Sequence, residues 1–287
     1  MVTKYIESPH RFKERILAYG GAGTGKSTIT LNIARYRPDD TFHVIDMDYS
    51  MTYERLLATE YQDVMDQGNV IIHEVDAEWE AFTDQFADIV NDADPENSWL
   101  TIDPATVTWE IVQAWWLDTV QGTDIADYMA QLRRDTKDSK EYSAALAEAM
   151  QWPAINKQYQ QKFYRNLHKW RGHSIIVCEA TELGRQADVD DKALYGFIGY
   201  KPKGQKTLPH ASATNIFLDH PKIDKWRYTT AKDRGRELQE KEPLDEFAID
   251  YLVEVGMGTQ DAQMTGGSAP RTPYPKPRNN TQQGATT

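Results

Sequence analysis

Short apolar runs alternate with amphipathic stretches along most of the chain. Five runs have the length and the flanking turn residues of buried strands, and they cover residues 15–20, 41–48, 69–75, 98–103 and 173–180. Helical patterns separate these runs, which predicts an α/β fold with a mostly parallel sheet flanked by helices. Two more strand-like runs follow at 215–218 and 225–230. The last predicted element is an amphipathic helix, with Pro243 in its first turn and Gly256 at its stop.

Two stretches exceed what a minimal sheet needs. Residues 104–171 predict a helical insertion, in which five tryptophans are expected to be core residues more often than base-stacking platforms: Trp109, Trp115, Trp116, Trp152 and Trp170. Residues 181–212 are polar and punctuated by glycine, which predicts mobile loops. From residue 257 the chain is rich in Gly, Pro, Thr, Gln and Asn, so we expect one domain over 1–256 and a disordered tail over 257–287.

Composition narrows the class of protein. Of the 287 residues 40% are hydrophobic, and no apolar run approaches the length of a membrane span. The first residues are polar and lack the apolar centre of a signal peptide, so we expect a cytoplasmic protein without a membrane partner. The only cysteine, Cys178, lies in an apolar run, which excludes an internal disulfide and favours a buried strand residue.

Charge is unevenly distributed around a net value of −12. Residues 1–150 carry 12 basic and 28 acidic side chains, residues 151–236 carry 16 and 8, and residues 237–287 carry 4 and 8. One segment of an acidic protein is therefore basic. Affinity for phosphate depends on the lysines and arginines at the contact, so this segment is a candidate nucleic-acid surface, with a solvated face as the alternative.

A phosphate-binding motif directly follows the first apolar run. Residues 20–27 fit G-x-x-x-x-G-K-[ST] and lead into a helical pattern, which is the strand–turn–helix context that a P-loop requires. Lys26 would reach the β- and γ-phosphates of a nucleoside triphosphate, and the Ser27 hydroxyl would ligate Mg²⁺. The expected nucleotide-binding set is Gly20, Gly21, Ala22, Gly23, Thr24, Gly25, Lys26, Ser27 and Thr28.

Two later strands end in carboxylates. Asp103 ends an apolar strand in the Walker B pattern and would hold Mg²⁺ through its water shell, with a simple helix cap before Pro104 as the alternative. Asp48 follows the second strand and would orient the attacking water. Asp46 is an alternative for that role, and either residue could instead be a solvated or capping aspartate.

A third candidate site is the strand that leads to Lys232 and Arg234. In a ring or filament these two cations could reach the γ-phosphate of a neighbouring subunit and stabilise the developing charge, with a solvated strand end as the alternative.

These motifs, in this order and spacing, resemble the RecA-like P-loop ATPases. The resemblance implies that Asp48 is the catalytic acid, where the family usually has Glu, and that Thr181 lies near the position of a γ-phosphate sensor. Residues 152–159, 201–210 and 230–237 more narrowly resemble phage-encoded RecA-like ATP-binding proteins, some of which are described as single-strand-annealing or recombination ATPases.

The resemblance covers residues 15–255 in outline and implies partners as well as an activity. It implies ATP hydrolysis with Mg²⁺, a homo-oligomer in the form of a ring or filament, and single-stranded DNA binding in phage recombination or replication, with phage or host single-strand-binding or replication proteins as further partners. DNA contacts are expected in 181–212, and also in 133–140. The candidate contact residues are Arg185, Lys201, Lys203 and Lys206.

Three functions remain open from the sequence. The first is an oligomeric DNA-dependent ATPase, and the second is a nucleoside or small-molecule kinase, for which the acidic 188–191 segment would be a poor lid. The third is an ATP-switched loader or partner-binding protein with little hydrolysis, which Asp in place of Glu at position 48 favours.

Overall fold

A computed structural model describes residues 13–48, 50–222 and 225–233. The expected helix over 243–256, the expected tail over 257–287 and Arg234 lie outside the described residues. Within them, eight strands form one sheet: β1 (Arg15–Gly20), β2 (Thr41–Asp46), β3 (Val70–Glu74), β4 (Ser98–Asp103), β5 (His173–Glu182), β6 (Tyr200–Pro202), β7 (Thr214–Lys222) and β8 (Lys225–Asp233).

The sheet is mostly parallel, as the alternating pattern predicts. Its strand order is β3-β2-β4-β5-β1-β7-β8, and β6 pairs with the far end of β5. The neighbours from β3 to β7 are parallel, whereas β8 and β6 each pair in the antiparallel direction. All seven predicted strands are present, with ends shifted by a few residues. The three-residue strand β6 escaped prediction because it is too short to carry a pattern.

Helices cover both faces of the sheet. They are α1 (Lys26–Tyr36), α2 (Thr52–Thr59), α3 (Gln62–Gln67), α4 (Trp79–Asp92), α5 (Ala105–Gln121), α6 (Ile125–Asp135), α7 (Ser139–Met150), α8 (Trp152–Tyr159), a π-helical turn (Gln160–Tyr164), α9 (Arg165–Lys169), α10 (Val189–Tyr195) and α11 (Leu208–Ala211). Aspartates cap three of them: Asp124, Asp138 and Asp188 accept backbone N–H groups at the starts of α6, α7 and α10.

Two hydrophobic cores lie on opposite faces of the sheet. In β1, Ile16 and Ala18 pack with α1, α2 and α3, whereas Leu17 and Tyr19 pack with α4, α5 and the helices that follow. All four residues are fully buried. Because successive side chains of a strand point to opposite faces, a strand covered on both sides must be apolar at every position.

Residues 104–171 are helical, as predicted, and form the connection between the neighbouring strands β4 and β5. Its last helical part buries an apolar stripe: Ile155, Tyr159, Phe163, Leu167 and Trp170. Helices α8 and α9 are continuous through the π-helical turn, whose slower winding keeps side chains at four-residue spacing on one face. The Arg15 guanidinium donates to the carbonyls of Leu167 and Trp170 at 3.2 and 3.1 Å, and so satisfies the carboxyl end of α9.

The remaining expectations have mixed outcomes. Cys178 is a buried, free thiol in β5. Residues 181–212, expected to be loops, contain α10, β6 and α11. Of the five tryptophans, Trp170 is 1% exposed and Trp152 is 37% exposed, while Trp109, Trp115 and Trp116 are partly buried against the core. Among the described residues, no helix combines the length and the apolar character that crossing a membrane requires.

Candidate nucleotide-binding site

The glycine-rich loop leaves the sheet at the carboxyl end of β1, between β5 and β7. A side chain at Gly20 would come within 2.4 Å of the Leu218 carbonyl oxygen, so only glycine fits this close approach. Gly23 and Gly25 have φ values of +71° and +85°, in the left-handed region that other residues rarely adopt. These conformations turn the chain sharply from β1 into α1, which begins at Lys26.

Hydrogen bonds within the loop hold its shape. The Thr24 hydroxyl donates to the Gly21 carbonyl at 2.9 Å, and the Thr28 hydroxyl donates to the Gly25 carbonyl at 2.6 Å. The Lys26 ammonium also donates to the Gly21 carbonyl, at 2.5 Å. Burial lowers the pKa of Lys26, while the nearby carboxylates of Asp103, Glu179 and Asp48 oppose that shift. The lysine is therefore a partly desolvated cation within the field of three acids.

Ser27 and Asp103, 76 residues apart in sequence, meet in the site. The Ser27 hydroxyl donates to Asp103 Oδ2 at 2.7 Å, and the Tyr53 hydroxyl donates to the same oxygen at 2.8 Å. Asp103 is only 6% exposed, and burial raises its pKa although both hydrogen bonds oppose the rise. The structure thus brings the two expected magnesium-binding residues into direct contact.

Sequence reasoning missed Tyr53, which lies in α2 and is 1% exposed. Burial raises the pKa of its hydroxyl well above the ordinary value, so the group remains a hydrogen-bond donor. Beneath this site, the hydroxyls of Thr30 in α1 and Thr101 in β4 form a hydrogen bond at 3.2 Å. No local motif surrounds Tyr53, so only the folded chain identifies it.

The two aspartates after β2 have different environments. Asp46 is 6% exposed, and burial raises its pKa to about 6. Asp46 Oδ1 accepts the backbone N–H of Asp48 at 2.8 Å. Asp48 is exposed, and its carboxylate accepts the backbone N–H and the hydroxyl of Ser50 at 3.1 and 2.8 Å. Both aspartates follow from position as candidates for orienting the attacking water, and position does not decide between them.

Acidic residues occupy the carboxyl ends of four successive strands. Asp46 in β2 is in register with Glu74 of β3 on one side and with Asp103 of β4 on the other. Glu179 of β5 is in register with Gly20 of β1, at the start of the phosphate-binding loop. Neighbouring strands lie about 4.8 Å apart, so the backbone of Glu179 borders the first residue of this loop. Glu179 was not among the predicted site residues, because no motif marks it.

A cavity of about 420 Å³ opens beside Asp48, between the ends of β2 and β3. Five acidic and three apolar residues line it. The acidic residues are Asp46, Asp48, Glu54, Glu74 and Asp76, and the apolar residues are Met47, Met51 and Val75. Glu54 Oε2 is buried and has no hydrogen-bond partner. The row of acidic residues at the strand ends therefore continues into this cavity, away from the loop and toward β3 at the edge of the sheet.

The donor set at Ser27 and Asp103 fits Mg²⁺. Magnesium keeps several waters and takes one or two carboxylates together with substrate phosphates, so a single carboxylate beside a hydroxyl is sufficient. In the part of the chain that the structure describes, no group of three or more His, Cys, Asp or Glu residues could hold a metal ion by itself. Any magnesium here would therefore take its remaining ligands from nucleotide phosphates and water.

Three of the four expected DNA-contact residues form ion pairs. Lys201 Nζ lies 2.6 Å from Asp191, and Lys206 Nζ lies 2.7 Å from Asp188. Lys203 Nζ lies 2.9 Å from Glu179 and 3.1 Å from Glu110. Arg185 is exposed in the loop after β5. Lys203 is thus paired with the strand-end acid that borders the phosphate-binding loop.

Lys232 lies on β8 and Thr181 lies on β5. The Lys232 ammonium on β8 donates to the carbonyls of Pro209 and Ser212 at 2.7 and 2.6 Å. Its expected role toward a neighbouring subunit, shared with Arg234, stays a prediction. Thr181 lies near the end of β5 in register with Lys201 of β6, and its expected sensor role is likewise a prediction.

No protein-family model and no curated protein matches the chain. Among solved structures, a RadB recombinase has a TM-score of 0.43 and 11% identity over 81% of this chain and 91% of its own. A DnaB-like replicative helicase has a TM-score of 0.42 and 11% identity over 77% of this chain and 52% of its own. Both TM-scores lie below 0.5, so neither likeness adds to what the site geometry says about function.

Proposed function

We propose that the chain is a RecA-like, DNA-dependent ATPase that binds single-stranded DNA and hydrolyses ATP at the subunit interfaces of an oligomer, in phage recombination or replication. The hydrogen bond between Ser27 and Asp103 carries the nucleotide part of this proposal. A P-loop hydroxyl and a buried carboxylate at the end of another strand are the two protein groups that an Mg²⁺–nucleotide complex requires.

Each residue then has a distinct role in the reaction. Lys26 neutralises charge on the β- and γ-phosphates, and the backbone N–H groups of the loop and of the start of α1 bind their oxygens. Ser27 and Asp103 would hold Mg²⁺, which would neutralise negative charge on the phosphates. Asp48 or Asp46 orients the attacking water, whose oxygen bonds to the γ-phosphorus as the bond to the β-phosphate oxygen breaks.

The DNA part of the proposal depends on the basic segment 151–236 and on the position of its lysines. Lys201, Lys203 and Lys206 are 32%, 46% and 75% exposed, so their ion pairs are accessible to solvent and weak. A phosphate backbone competes for such lysines at little cost to the fold. Lys232 and Arg234 would act on the γ-phosphate of an adjacent subunit.

An ATP-switched loader with little hydrolysis is the second candidate. The observation that favours it is the Asp48 carboxylate, which is shorter than the usual Glu and is engaged by the hydroxyl and N–H groups of Ser50. Donors that occupy both carboxylate oxygens compete with a water molecule for them.

Steady-state ATP hydrolysis by the purified protein, with and without single-stranded DNA, separates the two candidates, with Lys26→Ala as the blank. We expect DNA to stimulate turnover by about tenfold or more, and Lys26→Ala to abolish it. ATP binding without turnover under both conditions would support the loader. Transfer of phosphate to a nucleoside, seen by mass spectrometry, would support a kinase instead.

A further inference from the structure

Two neighbouring helical surfaces carry exposed charges of opposite sign. On α4, four acidic residues lie at four-residue spacing on the exposed side: Glu80, Asp84, Asp88 and Asp92, which we call the acidic ridge. On the π-helical turn and α9, three basic residues lie on the exposed side: Lys162, Arg165 and Lys169, which we call the basic ridge. Each ridge therefore presents a single sign of charge to solvent.

The single sign extends through the sequence around each ridge. Helix α4 contains no lysine or arginine, and the chain from Gln151 to Cys178 contains no aspartate or glutamate. A stretch of that length without an acid is unusual in a chain with 44 acidic residues among 287. The acidic ridge belongs to a longer stretch without basic residues, since residues 56–132 contain no lysine or arginine, whereas the basic ridge belongs to the stretch without acids.

Aromatic contacts place the ridges side by side. Trp79 stacks on Tyr159 with ring centroids 5.8 Å apart, and Phe82 and Phe86 lie 6.1 and 5.8 Å from Phe163. The contacts advance along both helices in the same direction, so α4 and the α8–α9 helix run parallel. Both belong to the core on one face of the sheet, so their exposed sides turn away from it together.

The ridges do not neutralise one another within the chain. None of the ion pairs among residues 13–48, 50–222 and 225–233 joins a residue of one ridge to a residue of the other. Within each ridge, like charges at three- and four-residue spacing destabilise their own helix. Repulsion that lowers the stability of a helix, without a compensating contact in the same chain, is typical of a surface that binds a partner.

We propose that this face binds a second copy of the chain. A two-fold axis that lies between the ridges and parallel to the helices sets each acidic ridge against the basic ridge of the other copy. An axis perpendicular to the helices would set like against like. The charge pattern therefore selects one symmetric arrangement, with the helices of the two copies parallel.

A nucleic acid fits the face less well. A phosphate backbone that follows the basic ridge would run beside the four carboxylates of the acidic ridge for its whole length, and the repulsion would offset the attraction. A second copy pairs both ridges at once. The inference stands independently of the proposed ATPase function, because it concerns a different surface.

The size of the face predicts a weak contact. Helix α4 has 14 residues and is about 21 Å long, and two helices side by side are about 20 Å wide, which gives about 400 Å² for each copy. Stable interfaces bury about 800 Å² for each partner, so this contact belongs to the transient class. Its charged character makes it sensitive to salt.

Charge reversal tests the pairing directly. In one variant the basic ridge becomes acidic through Lys162→Glu, Arg165→Glu and Lys169→Glu. In the other the acidic ridge becomes basic through Asp84→Lys, Asp88→Lys and Asp92→Lys. Sedimentation velocity at about 0.05 M salt should show a higher average mass for the unmodified chain than for either variant alone, whatever assembly the other subunit interface supports. An equimolar mixture of the two variants should associate, since every contact except those of the unchanged Glu80 is then between opposite charges.

Controls separate the pairing from a loss of folding. Lys137→Glu with Lys140→Glu changes two exposed lysines elsewhere in the helical insertion and should leave association unchanged. Circular dichroism of each variant checks the fold, and about 0.5 M salt should dissociate the dimer. The proposal is wrong if the unmodified chain stays monomeric, if reversal leaves an oligomer unchanged, or if the mixture does not associate. Loss of DNA binding on reversal of the basic ridge, in a chain that is always monomeric, would instead identify a nucleic-acid surface.

Discussion

Charged side chains in two regions of the molecule, the P-loop end of the sheet and the segment from Arg185 to Lys206, contrast in burial. At the P-loop, Asp103 is 6% exposed and accepts two hydroxyl donors from different helices. In the later segment, Lys206 is 75% exposed and forms one ion pair with Asp188. Both regions bring charges together, but only the first removes them from water.

Burial determines which contacts hold the site in place and which can be exchanged for other partners. A buried carboxylate that loses a donor keeps its desolvation cost, so the Asp103 contacts depend on one another. An exposed ion pair loses little when it opens, because water and salt replace the partner. The first region is therefore suited to fix a bound nucleotide, and the second to release its lysines to an incoming anion.

Tyr53→Phe removes one of the two donors to Asp103 and should have the largest effect. We expect ATP turnover to fall by about 10- to 100-fold, with a higher magnesium concentration needed for half-maximal rate, because the carboxylate loses its orientation. Titration of turnover with MgCl₂ measures both changes. Tyr164→Phe is the matched control, since it removes a buried hydroxyl whose hydrogen-bond partners are Gln205 and Thr207. An identical magnesium response in the two variants would contradict the positioning role.

Asp46→Asn tests the buried region through pH. The folded-state pKa of about 6 lies above the ordinary value of 3.8, so the folded state favours the protonated form. The stability this group contributes is therefore present at low pH and is lost as pH rises through about 6. Asn stays neutral and keeps the oxygen that accepts the Asp48 N–H. The variant should gain about 1 to 3 kcal/mol of unfolding free energy at pH 8 and show little difference near pH 4.

Urea unfolding at several pH values measures this gain. The control is Asp48→Asn, which changes an exposed carboxylate two residues later and should alter the unfolding free energy by less than about 0.5 kcal/mol. A gain at pH 8 that persists undiminished at pH 4 would show that ionisation of Asp46 is not its cause. Turnover of the same two variants also indicates which of the two aspartates orients water.

Alanine at Lys201, Lys203 or Lys206 should have the smallest effect on the fold. We expect each change to alter the unfolding free energy by less than about 1 kcal/mol, because all three ion pairs are partly solvated. If these lysines contact DNA phosphates, each removal should reduce the salt dependence of single-stranded DNA binding by about 0.7 in the log–log slope. Fluorescence anisotropy across a salt series measures it. Lys222→Ala, at an exposed end of β7, should leave the slope unchanged, and equal slopes for all variants would exclude the three lysines as contacts.

Sequence patterns predicted the sheet and the phosphate-binding loop because each depends on residues that are consecutive in the chain. Strand β1 is apolar at four consecutive positions, 16–19, and the P-loop motif occupies eight consecutive residues. Tyr53 could not be found in this way, since Asp103 lies 50 residues later in the chain and no local motif surrounds Tyr53. The partners of Lys203 were equally hidden, because Glu110 belongs to α5 and Glu179 to β5.

Lys232 illustrates the limit of reading a strand end from sequence. The pattern predicts a cation that projects from the sheet, yet its ammonium binds two carbonyls at the end of α11. Those carbonyls lie 20 and 23 residues earlier, and only the antiparallel pairing of β7 with β8 brings them close. Backbone acceptors leave no trace in side-chain patterns.

The π-helical turn at Gln160–Tyr164 makes this part of the chain sensitive to length. One residue fewer would close the turn into a regular helix and rotate everything after it by about 100°. Leu167 and Trp170 would leave the core, and the basic residues of α9 would point in a new direction. The exposed glutamines of the turn accept many substitutions. Deletion of one residue there would instead misalign the buried and basic residues after the turn with those before it on the same helix.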